Sequence, residues 1–592
     1  MKNISLNDKE DGDTSSLEKP SFFKLLLYVG VSLLVLCIAF IAGLILISDV
    51  ELSDIYALNF GRLIKPKVVF NTYSYHFAPE VDELLVENIS NALDEVVFEG
   101  KSRFRREMDE NESPDFLITA SDSSEGCEDP LFVSEFLPVG YFEWINDQYK
   151  RESLADYRYI TLDRYSLHSK FLLSSLIKED RFDLTFVENV DDMVESLTNE
   201  SDLIGLVRTE DLDPRLKLLF IDNEYYFDDP VNNSLKACLT VRSNIEDNEN
   251  IMPTIRGHIN AYNEALNLSG DGALPPIDDI LSYRMTGVTA LSRNLAIKIN
   301  ASGNPAYAAD FISDFLSQAD FTHTSNEVSF VPGCVPEQSM RFCSATEYIE
   351  TLKVSGINVV GLTGNHNNDY GANFNTDTIK TYEELGWIYY GGGYNAEDAA
   401  KIRYIDSKGT KIALLGYNYY DSMLAGSYAL AGETRAGANS YSPEKMKQDI
   451  EQARQEADMI IVDFQFQECY SYPADRGIYP LCYRPLSHPD QRAVFRLAVD
   501  YGADIVVGTQ AHQPQTFERY KEGYIFYGLG NIFFDQIFWP GTRQGIVLTH
   551  YFREGELIQT RLDTTIYDSD MRPYVTFGSE RELLLRLLSE AR

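Results

Sequence analysis

The residue types best suited to chemistry lie together in residues 364–371, which read Gly-Asn-His-Asn-Asn-Asp-Tyr-Gly. The apolar run before them, residues 357–362, predicts a buried strand, and residues 376–385 after them predict a helix. The polar side chains therefore follow the carboxyl end of a strand. In open α/β sheets, ligands and catalytic groups collect at that edge.

Three side chains of this segment suit a reactive site. Asn365 carries an amide, and His366 carries an imidazole, a group suited to proton transfer near neutral pH. Asp369 is placed to orient the imidazole of His366. The alternative is a loop whose Asn, Gly and Asp residues serve only turn geometry.

Composition limits the classes of function. The chain has 592 residues, of which 44% are hydrophobic, and this is enough for two or three domains with their own cores. The formal net charge of −40 argues against nucleic acid as a partner, because a phosphate backbone would be repelled. A polyanionic substrate would need a local basic patch.

The amino-terminal segments predict a membrane anchor. Residues 1–24 read as a polar cytoplasmic tail, and residues 25–47 carry no charge. At about 1.5 Å per residue, the uncharged run is long enough for a transmembrane helix. Lysines precede this run, and the next basic residue after it is Arg62, so the bulk of the chain is predicted outside a cell membrane that it crosses once.

Cysteine usage fits an oxidising compartment, because the number of cysteines outside the predicted helix is even. These are Cys127, Cys238, Cys334, Cys343, Cys469 and Cys482. Close spacing predicts one disulfide between Cys334 and Cys343 and another between Cys469 and Cys482. By elimination, Cys127 would then pair with Cys238. Spacing alone does not establish the pairing, and a zinc site is the alternative, although no C-x-x-C motif is present.

Residues 66–268 alternate short apolar strands with helical patterns, which predicts a smaller α/β domain with a mostly parallel sheet. The order of elements, with residues 137–140 early and the strand 204–207 late, resembles a type 2 periplasmic substrate-binding module. That resemblance implies a binding function. A structural spacer or an oligomerisation domain is the alternative.

Residues 280–565 carry a more specific series of motifs, each an apolar strand that ends in polar residues. The six blocks lie at residues 286–293, 325–327, 364–371, 460–468, 502–512 and 527–535. In order and spacing the series resembles the CapA family of poly-γ-glutamate capsule biosynthesis proteins, which is related to calcineurin-like metallophosphoesterases. The resemblance implies a four-layer α/β/β/α sandwich with its site at one sheet edge. A C-terminal helical tail is predicted after it, at 566–592.

The resemblance also implies roles for single residues. Asn365, Asn326 and His512 match positions that bind metal or substrate, because the related phosphoesterases hold two divalent metals with Asp, Asn and His. His366 and Asp369 belong to the most specific block, and the resemblance implies that His366 is a general acid or an oxyanion stabiliser. Glu327 and Glu468 are predicted to form an acid/base pair if they lie close together.

Three departures from the family pattern weaken the metal interpretation. Val288 stands where the family has an aspartate, and Gln465 and Gln510 stand where it has histidines. Valine cannot bind a metal, and amide oxygens suit Ca²⁺ or Mg²⁺ better than Zn²⁺ or Mn²⁺. The residues that remain leave room for one divalent cation or for none.

Together these features predict a membrane-anchored external protein that makes, exports, anchors or trims an anionic cell-surface polymer such as poly-γ-glutamate. Hydrolysis of an amide or ester bond is the predicted chemistry, with membrane-embedded polymer synthase subunits as partners. The alternative is a non-catalytic subunit with a degenerate metallophosphoesterase fold that binds polymer or a synthase.

Overall fold

The computed structural model describes residues 73–77, short pieces between 86 and 106, and residues 114–121, 132–177, 182–230, 232–244, 274, 277–469 and 482–592. The predicted tail at 1–24 and transmembrane helix at 25–47 lie outside these residues. Within the described part of the chain, no helix is long and apolar enough to cross a membrane.

The chain divides into two compact units. The first contains residues 1–76, 88–117 and 243–258, and the second contains residues 77–87, 118–242 and 259–592. In the first unit, β1 (Tyr73–Phe77) pairs in parallel with β4 (Phe104–Arg106), and β2 (Val97–Phe98) pairs antiparallel with β3 (Lys101–Ser102). All residues of the candidate site belong to the second unit.

The described residues in the earlier part of the second unit form a mixed sheet, a separate two-stranded sheet and two α-helices. Its elements are β5 (Phe116–Ser121), β6 (Phe132–Tyr141), β7 (Gln148–Tyr149), β8 (Arg158–Leu162), α1 (Ser166–Leu176), β9 (Leu184–Val187), α2 (Val190–Asn199), β10 (Leu203–Val207), β11 (Leu216–Leu218), β12 (Phe220–Ile221) and β13 (Leu235–Ser243). The strand predicted at 204–207 is confirmed as part of β10. The prediction of a mostly parallel sheet is wrong, because β6 runs antiparallel to β10, β11 and β13, and apolar patterning does not report strand direction.

The later part contains two larger sheets. Its strands are β14 (Leu281–Thr289), β15 (Phe321–Asn326), β16 (Ile357–Gly361), β17 (Ile388–Tyr390), β18 (Gly392–Gly393), β19 (Arg403–Ser407), β20 (Thr410–Asn418), β21 (Gly437–Ala438), β22 (Met459–Gln465), β23 (Ile505–Thr509), β24 (Pro514–Tyr520), β25 (Gly523–Leu529), β26 (Asn531–Phe533), β27 (Gln544–Arg553), β28 (Glu556–Tyr567) and β29 (Pro573–Thr576). One sheet has the order β17-β16-β15-β14-β27-β28-β29, with β26 paired to β14. The other has the order β19-β20-β22-β23-β25-β24.

Where the structure describes this part, nine α-helices connect or flank the strands. They are α3 (Arg293–Ser302), α4 (Ser313–Leu316), α5 (Ile349–Val354), α6 (Ala372–Glu384), α7 (Ala396–Ala399), α8 (Tyr419–Ser422), α9 (Pro443–Ala453), α10 (Gln491–Asp500) and α11 (Gly578–Glu590). Side chains cap several of them, as where Ser442 accepts the backbone N–H of Lys445 and Pro443 occupies the first turn of α9. The helix predicted at 376–385 is confirmed as α6.

The two larger sheets share one apolar core. A single cluster of buried side chains contains Met285 of β14 and Val359 of β16 together with Leu414 of β20 and Ile461 of β22. Leu584, Leu585 and Leu588 of α11 join the same cluster. The boundary predicted at 565 falls within β28, and the sheet continues through β29. Burial of these side chains supplies most of the driving force that holds the strand ends in place.

Candidate functional site

The strand ends that carry the polar blocks meet at one edge. β14, β15 and β16 run parallel, with Thr289 opposite Asn326 and Ser325 opposite Gly361. In the other sheet β22 and β23 run parallel, with Gln465 opposite Thr509. Because parallel strands end on the same side, the residues that follow them collect there.

Backbone contacts fix the loop at 364–371. The side-chain amide of Asn367 donates to the carbonyl of Gly364 at 3.2 Å, and that of Asn368 donates to the carbonyls of Tyr428 and Ala436 at 2.8 Å each. Asn367 and Asn368 therefore stabilise the turn, as the alternative interpretation of this segment predicts. Asn365, His366 and Asp369 remain partly exposed.

His366 and Asp369 form a pair, with Nδ1 of the imidazole 2.7 Å from Oδ2 of the carboxylate. The ring of Phe342 lies against the imidazole, with 4.0 Å between ring centroids. Burial alone would lower the pKa of His366, but the hydrogen bond and charge of Asp369, together with the charges of Glu327 and Glu468, raise it overall. The hydrogen bonds of the described residues leave Nε2 of His366 without a partner.

Glu327 is fully buried at the end of β15, and its backbone N–H donates to the carbonyl of Thr289 at 3.0 Å. Neither carboxylate oxygen has a hydrogen-bond partner among the described residues. Burial raises the pKa of this carboxyl group, and His512 and His366 oppose that shift. A buried and unpartnered carboxyl group is costly, which is typical of a functional position rather than a structural one.

Amide groups occupy the centre of the site. The side-chain nitrogen of Gln465 donates to Oδ1 of Asn365 at 3.0 Å and contacts Oε1 of Gln510. Gln510 in turn donates to Oε1 of Glu468 at 3.5 Å. Glu468 thus lies near Glu327, and the charges of both carboxylates raise the pKa of His366. The structure brings the predicted pair, Glu327 and Glu468, to one site.

His512 lies on the loop after β23. Its Nδ1 is 2.9 Å from Oδ1 of Asn531, and the side-chain nitrogen of Asn531 donates to the backbone carbonyl of His512 at 3.0 Å. Both His512 and Gln510 have positive φ, 56° and 79°, which is uncommon for residues other than glycine. Such conformations persist where the surroundings enforce them, and they cluster at functional sites.

The donor set does not fit a two-metal centre. Val288 is fully buried in an apolar cluster with Ala290 and Phe534, and the side-chain nitrogen of Gln465 contacts Oε1 of Gln510. The side-chain nitrogen of Asn326 donates to Tyr382 at 2.7 Å and to the carbonyl of Val328 at 2.9 Å. Over the described ranges, no group of three His, Cys, Asp or Glu side chains is placed to hold a metal ion.

An open cleft of about 540 Å³ lies beside the His366 loop. Asn365, Asp369 and Tyr370 line one side, and Tyr428 and Arg341 contribute further lining. Tyr428 is 54% exposed, whereas Tyr417, near the end of β20, is fully buried. The cleft therefore borders the loop that carries His366, through Asn365 and Asp369 on either side of it in the sequence.

Two further residues belong to the site. Asn531 lies in the motif block at 527–535, which is its only sequence signal, and it pairs with Val288 of β14. Arg341 lies outside every block and has no such signal. Three other arginines of this domain are engaged or exposed: Arg293 pairs with Asp535, Arg435 donates to the carbonyl of Leu430 and Arg484 is exposed.

The disulfides agree with two of the three predicted pairs. Cys334 is bonded to Cys343 and Cys469 to Cys482. Cys238 is also disulfide-bonded, while its predicted partner Cys127 lies outside the described residues. The loop closed by the first of these bonds carries Phe342 to the His366 ring.

Comparison with known proteins identifies this part of the chain. Residues 283–536 match the family of bacterial capsule synthesis proteins PGA_cap. The chain is 28% identical over 320 residues to the capsule biosynthesis protein CapA of Bacillus anthracis, covering 52% of this chain and 73% of that one. It is 25% identical over 321 residues to the PGA biosynthesis protein CapA of Bacillus subtilis (strain 168), covering 53% and 79%. Residues 283–536 are a domain of the CapA family.

Solved structures resemble the chain only remotely. The calcineurin-like phosphoesterase YfkN of Bacillus subtilis matches with a TM-score of 0.30 and 14% identity, over 52% of this chain and 96% of that one. An ABC-type phosphate transport receptor of Vibrio cholerae matches with a TM-score of 0.21 and 8% identity, over 34% and 100%. TM-scores this low carry no inference about activity.

Proposed function

We propose that this chain acts in the biosynthesis of an anionic cell-surface polymer such as poly-γ-glutamate, and that it trims the polymer by hydrolysing an amide bond. The CapA-family domain and the two capsule proteins it resembles support the role in capsule biosynthesis. The observation that carries the hydrolysis is Glu327, whose buried carboxyl group has no partner among the described residues and is electrostatically coupled to His366.

The proposed reaction uses the chain's own acid and base. Ionised Glu327 takes a proton from water as the water oxygen attacks the amide carbonyl. His366, held by Asp369, stabilises the developing oxyanion and then gives its Nε2 proton to the leaving nitrogen as the C–N bond breaks. A carboxyl pKa above the usual range suits a base that must also release its proton near neutral pH.

Because the donor set does not fit two metals, no step of this reaction is assigned to a metal centre. One divalent cation beside Asn365 and Glu327 is the alternative that the family resemblance implies. Turnover that survives EDTA supports the metal-free reaction. Turnover that is lost with EDTA and returns with Mg²⁺ or Ca²⁺ would assign the cation instead.

We further propose that the domain has a metallophosphoesterase-like sandwich fold and that the chain is anchored in the cell membrane near polymer synthase subunits. The shared core of the two large sheets supports the first point. The uncharged run at 25–47 supports the second.

The test is release of new amino groups from poly-γ-glutamate by the full chain. Glu327→Gln and His366→Ala are expected to lower the rate by about 10² to 10⁴. Glu522→Gln makes the same chemical change on a side chain that is 93% exposed, and it should leave the rate unchanged. A wild-type chain that binds the polymer without cleaving it would favour the alternative, a polymer-binding subunit.

A further inference from the structure

One cationic side chain at the cleft beside His366, that of Arg341, has no carboxylate partner among the described residues. Arg341 is exposed at the cleft, and it forms no ion pair with any described residue. Its Nε donates to the backbone carbonyl of Asp369 at 2.7 Å, and its guanidinium lies over the ring of Tyr370, 4.2 Å from the centroid. These contacts orient the guanidinium and leave its terminal nitrogens available to a ligand.

The backbone around Arg341 is tied to the reactive pair. The next residue, Phe342, donates its N–H to Oδ2 of Asp369 at 2.8 Å and packs its ring on His366. The disulfide between Cys334 and Cys343 closes the loop that carries both residues. Asp369 therefore binds Arg341 through its backbone and His366 through its side chain, which sets the spacing between guanidinium and imidazole.

The acidic side chains of the cleft are already satisfied. Oδ2 of Asp369 is shared by His366 and the N–H of Phe342. Asp421 accepts hydrogen bonds from Asn418 at 2.9 Å and from Ser427 at 2.7 Å. Neither carboxylate forms an ion pair with Arg341, so the positive charge of its guanidinium is available to a ligand.

That charge matters because the chain carries a net charge of −40, which repels an anionic polymer. A guanidinium fork binds a carboxylate through two parallel hydrogen bonds, and it gives orientation as well as affinity. In γ-linked polyglutamate every repeat unit keeps its α-carboxylate, so a free carboxylate stands beside each amide bond.

We propose that Arg341 binds the free carboxylate of the polymer repeat unit next to the amide bond that His366 serves. This inference rests on the proposed function and adds the recognition element to it. The substrate class is a chain with one free carboxylate on each repeat unit, and Arg341 sets the specificity for that carboxylate.

The experiment measures binding separately from hydrolysis. The full chain with Glu327→Gln, which blocks turnover, is titrated with a fluorescently labelled poly-γ-glutamate oligomer, alone and combined with Arg341→Gln or Arg341→Lys. Arg341→Gln should weaken binding by about 10-fold to 100-fold, since a hydrogen bond to a charged group is lost. Arg341→Lys should weaken it less. Arg586→Gln, at an exposed position of α11, is the matched control and should bind as the parent does.

Two further readouts separate the outcomes. In the chain with Glu327 intact, Arg341→Gln should raise KM and leave kcat nearly unchanged. An oligomer whose carboxylates are converted to amides should bind Arg341→Gln and the parent equally. Equal affinity of both for the acidic oligomer would overturn the role of Arg341 even if the wild type hydrolyses the polymer. Arg341-dependent binding without hydrolysis would support that role while contradicting the proposed reaction, and no binding by the wild type would overturn both.

Discussion

The carboxylate of Asp369 lies 2.7 Å from Nδ1 of His366, and the same oxygen accepts the N–H of Phe342 at 2.8 Å. One side chain therefore orients the imidazole and also holds the disulfide loop against it. Since this carboxylate positions the imidazole together with the ring of Phe342, loss of the carboxylate should disturb both the proton on the ring and its orientation.

Asp369→Asn should reduce the rate of polymer hydrolysis by about 10²-fold, because a neutral amide no longer stabilises the charged imidazole. Asp369 raises the pKa of His366, so the alkaline limb of the pH–rate profile should also move to lower pH in the variant. The measurement is the pH–rate profile of wild type and variant. Asp406→Asn, at an exposed position of β19, is the matched control, and an unmoved alkaline limb in Asp369→Asn would contradict the pairing.

The disulfide between Cys334 and Cys343 closes a short loop with a sequence separation of 9. In the chain-entropy view, opening such a loop costs about 2–3 kcal/mol of stability. The double variant Cys334→Ser, Cys343→Ser should melt at a lower temperature and lose activity, because Phe342 no longer holds the His366 ring. Activity and circular dichroism melting check this, and a variant that melts earlier yet keeps full activity would show that the loop serves stability alone.

Much of the fold around the site follows from sequence pattern. The apolar run before the 364–371 loop appears as β16, and the helix after that loop appears as α6. These elements are predictable because buried strands and their turn residues leave local signals. The direction of β6 is not local, since it depends on which strands it meets in the sheet, and the prediction failed there.

The residues of the candidate site likewise divide into those that sequence pattern predicts and those that it does not. His366, Asp369, Glu327 and Glu468 come together as their blocks predict, because each block ends a parallel strand at the same edge. Arg341 could not be predicted, because it reaches the cleft through a disulfide loop whose path depends on tertiary contacts. The hydrogen bonds of Asn326 with Tyr382 and Val328 were equally hidden from the sequence.

Gly364 permits the close approach of the loop to Glu327. A Cβ at position 364 would lie 2.6 Å from Cα of Glu327, which is well inside van der Waals contact. Gly364→Ala should therefore displace the buried carboxyl group, cost about 1–3 kcal/mol of stability and abolish hydrolysis. Gly432→Ala is the matched control, since its nearest neighbour would be at 3.5 Å. Melting temperature and turnover check the pair, and equal behaviour of the two variants would contradict the tight packing.

A buried ion pair joins α11 to the earlier sheet within the second unit. Arg581 and Asp147 are each 2% exposed, and Nη2 of the arginine donates to the carboxylate at 2.7 Å. Arg581→Met should destabilise the chain by about 3 kcal/mol, because it leaves Asp147 buried with only Lys217 at 3.5 Å. Thermal melting checks this against Arg586→Met on the exposed face of the same helix. Equal melting temperatures for the two variants would show that the pair does not stabilise the fold.

Asp463 lies in the core between the two large sheets, 3.4 Å from the hydroxyl of Tyr390 and 3.9 Å from Nε2 of His323. Burial raises the pKa of its carboxyl group to about 7, and burial lowers the pKa of His323 to about 3, so the histidine stays neutral above that pH. Between the ordinary aspartate value of 3.8 and 7, the folded state keeps a proton that the unfolded state has lost. The stability from Asp463 is therefore fully present below 3.8 and declines as pH rises towards 7.

Asp463→Asn should remove that decline, because the amide is uncharged at every pH. Relative to wild type, its stability should rise between pH 4 and 7 and then remain constant. The total rise should be on the order of 4 kcal/mol, at about 1.4 kcal/mol per pKa unit. Melting temperatures across pH 4–9 measure the difference, with Asp406→Asn as the exposed control. A difference between Asp463→Asn and wild type that does not vary with pH would mean that Asp463 titrates near its ordinary value in the folded chain.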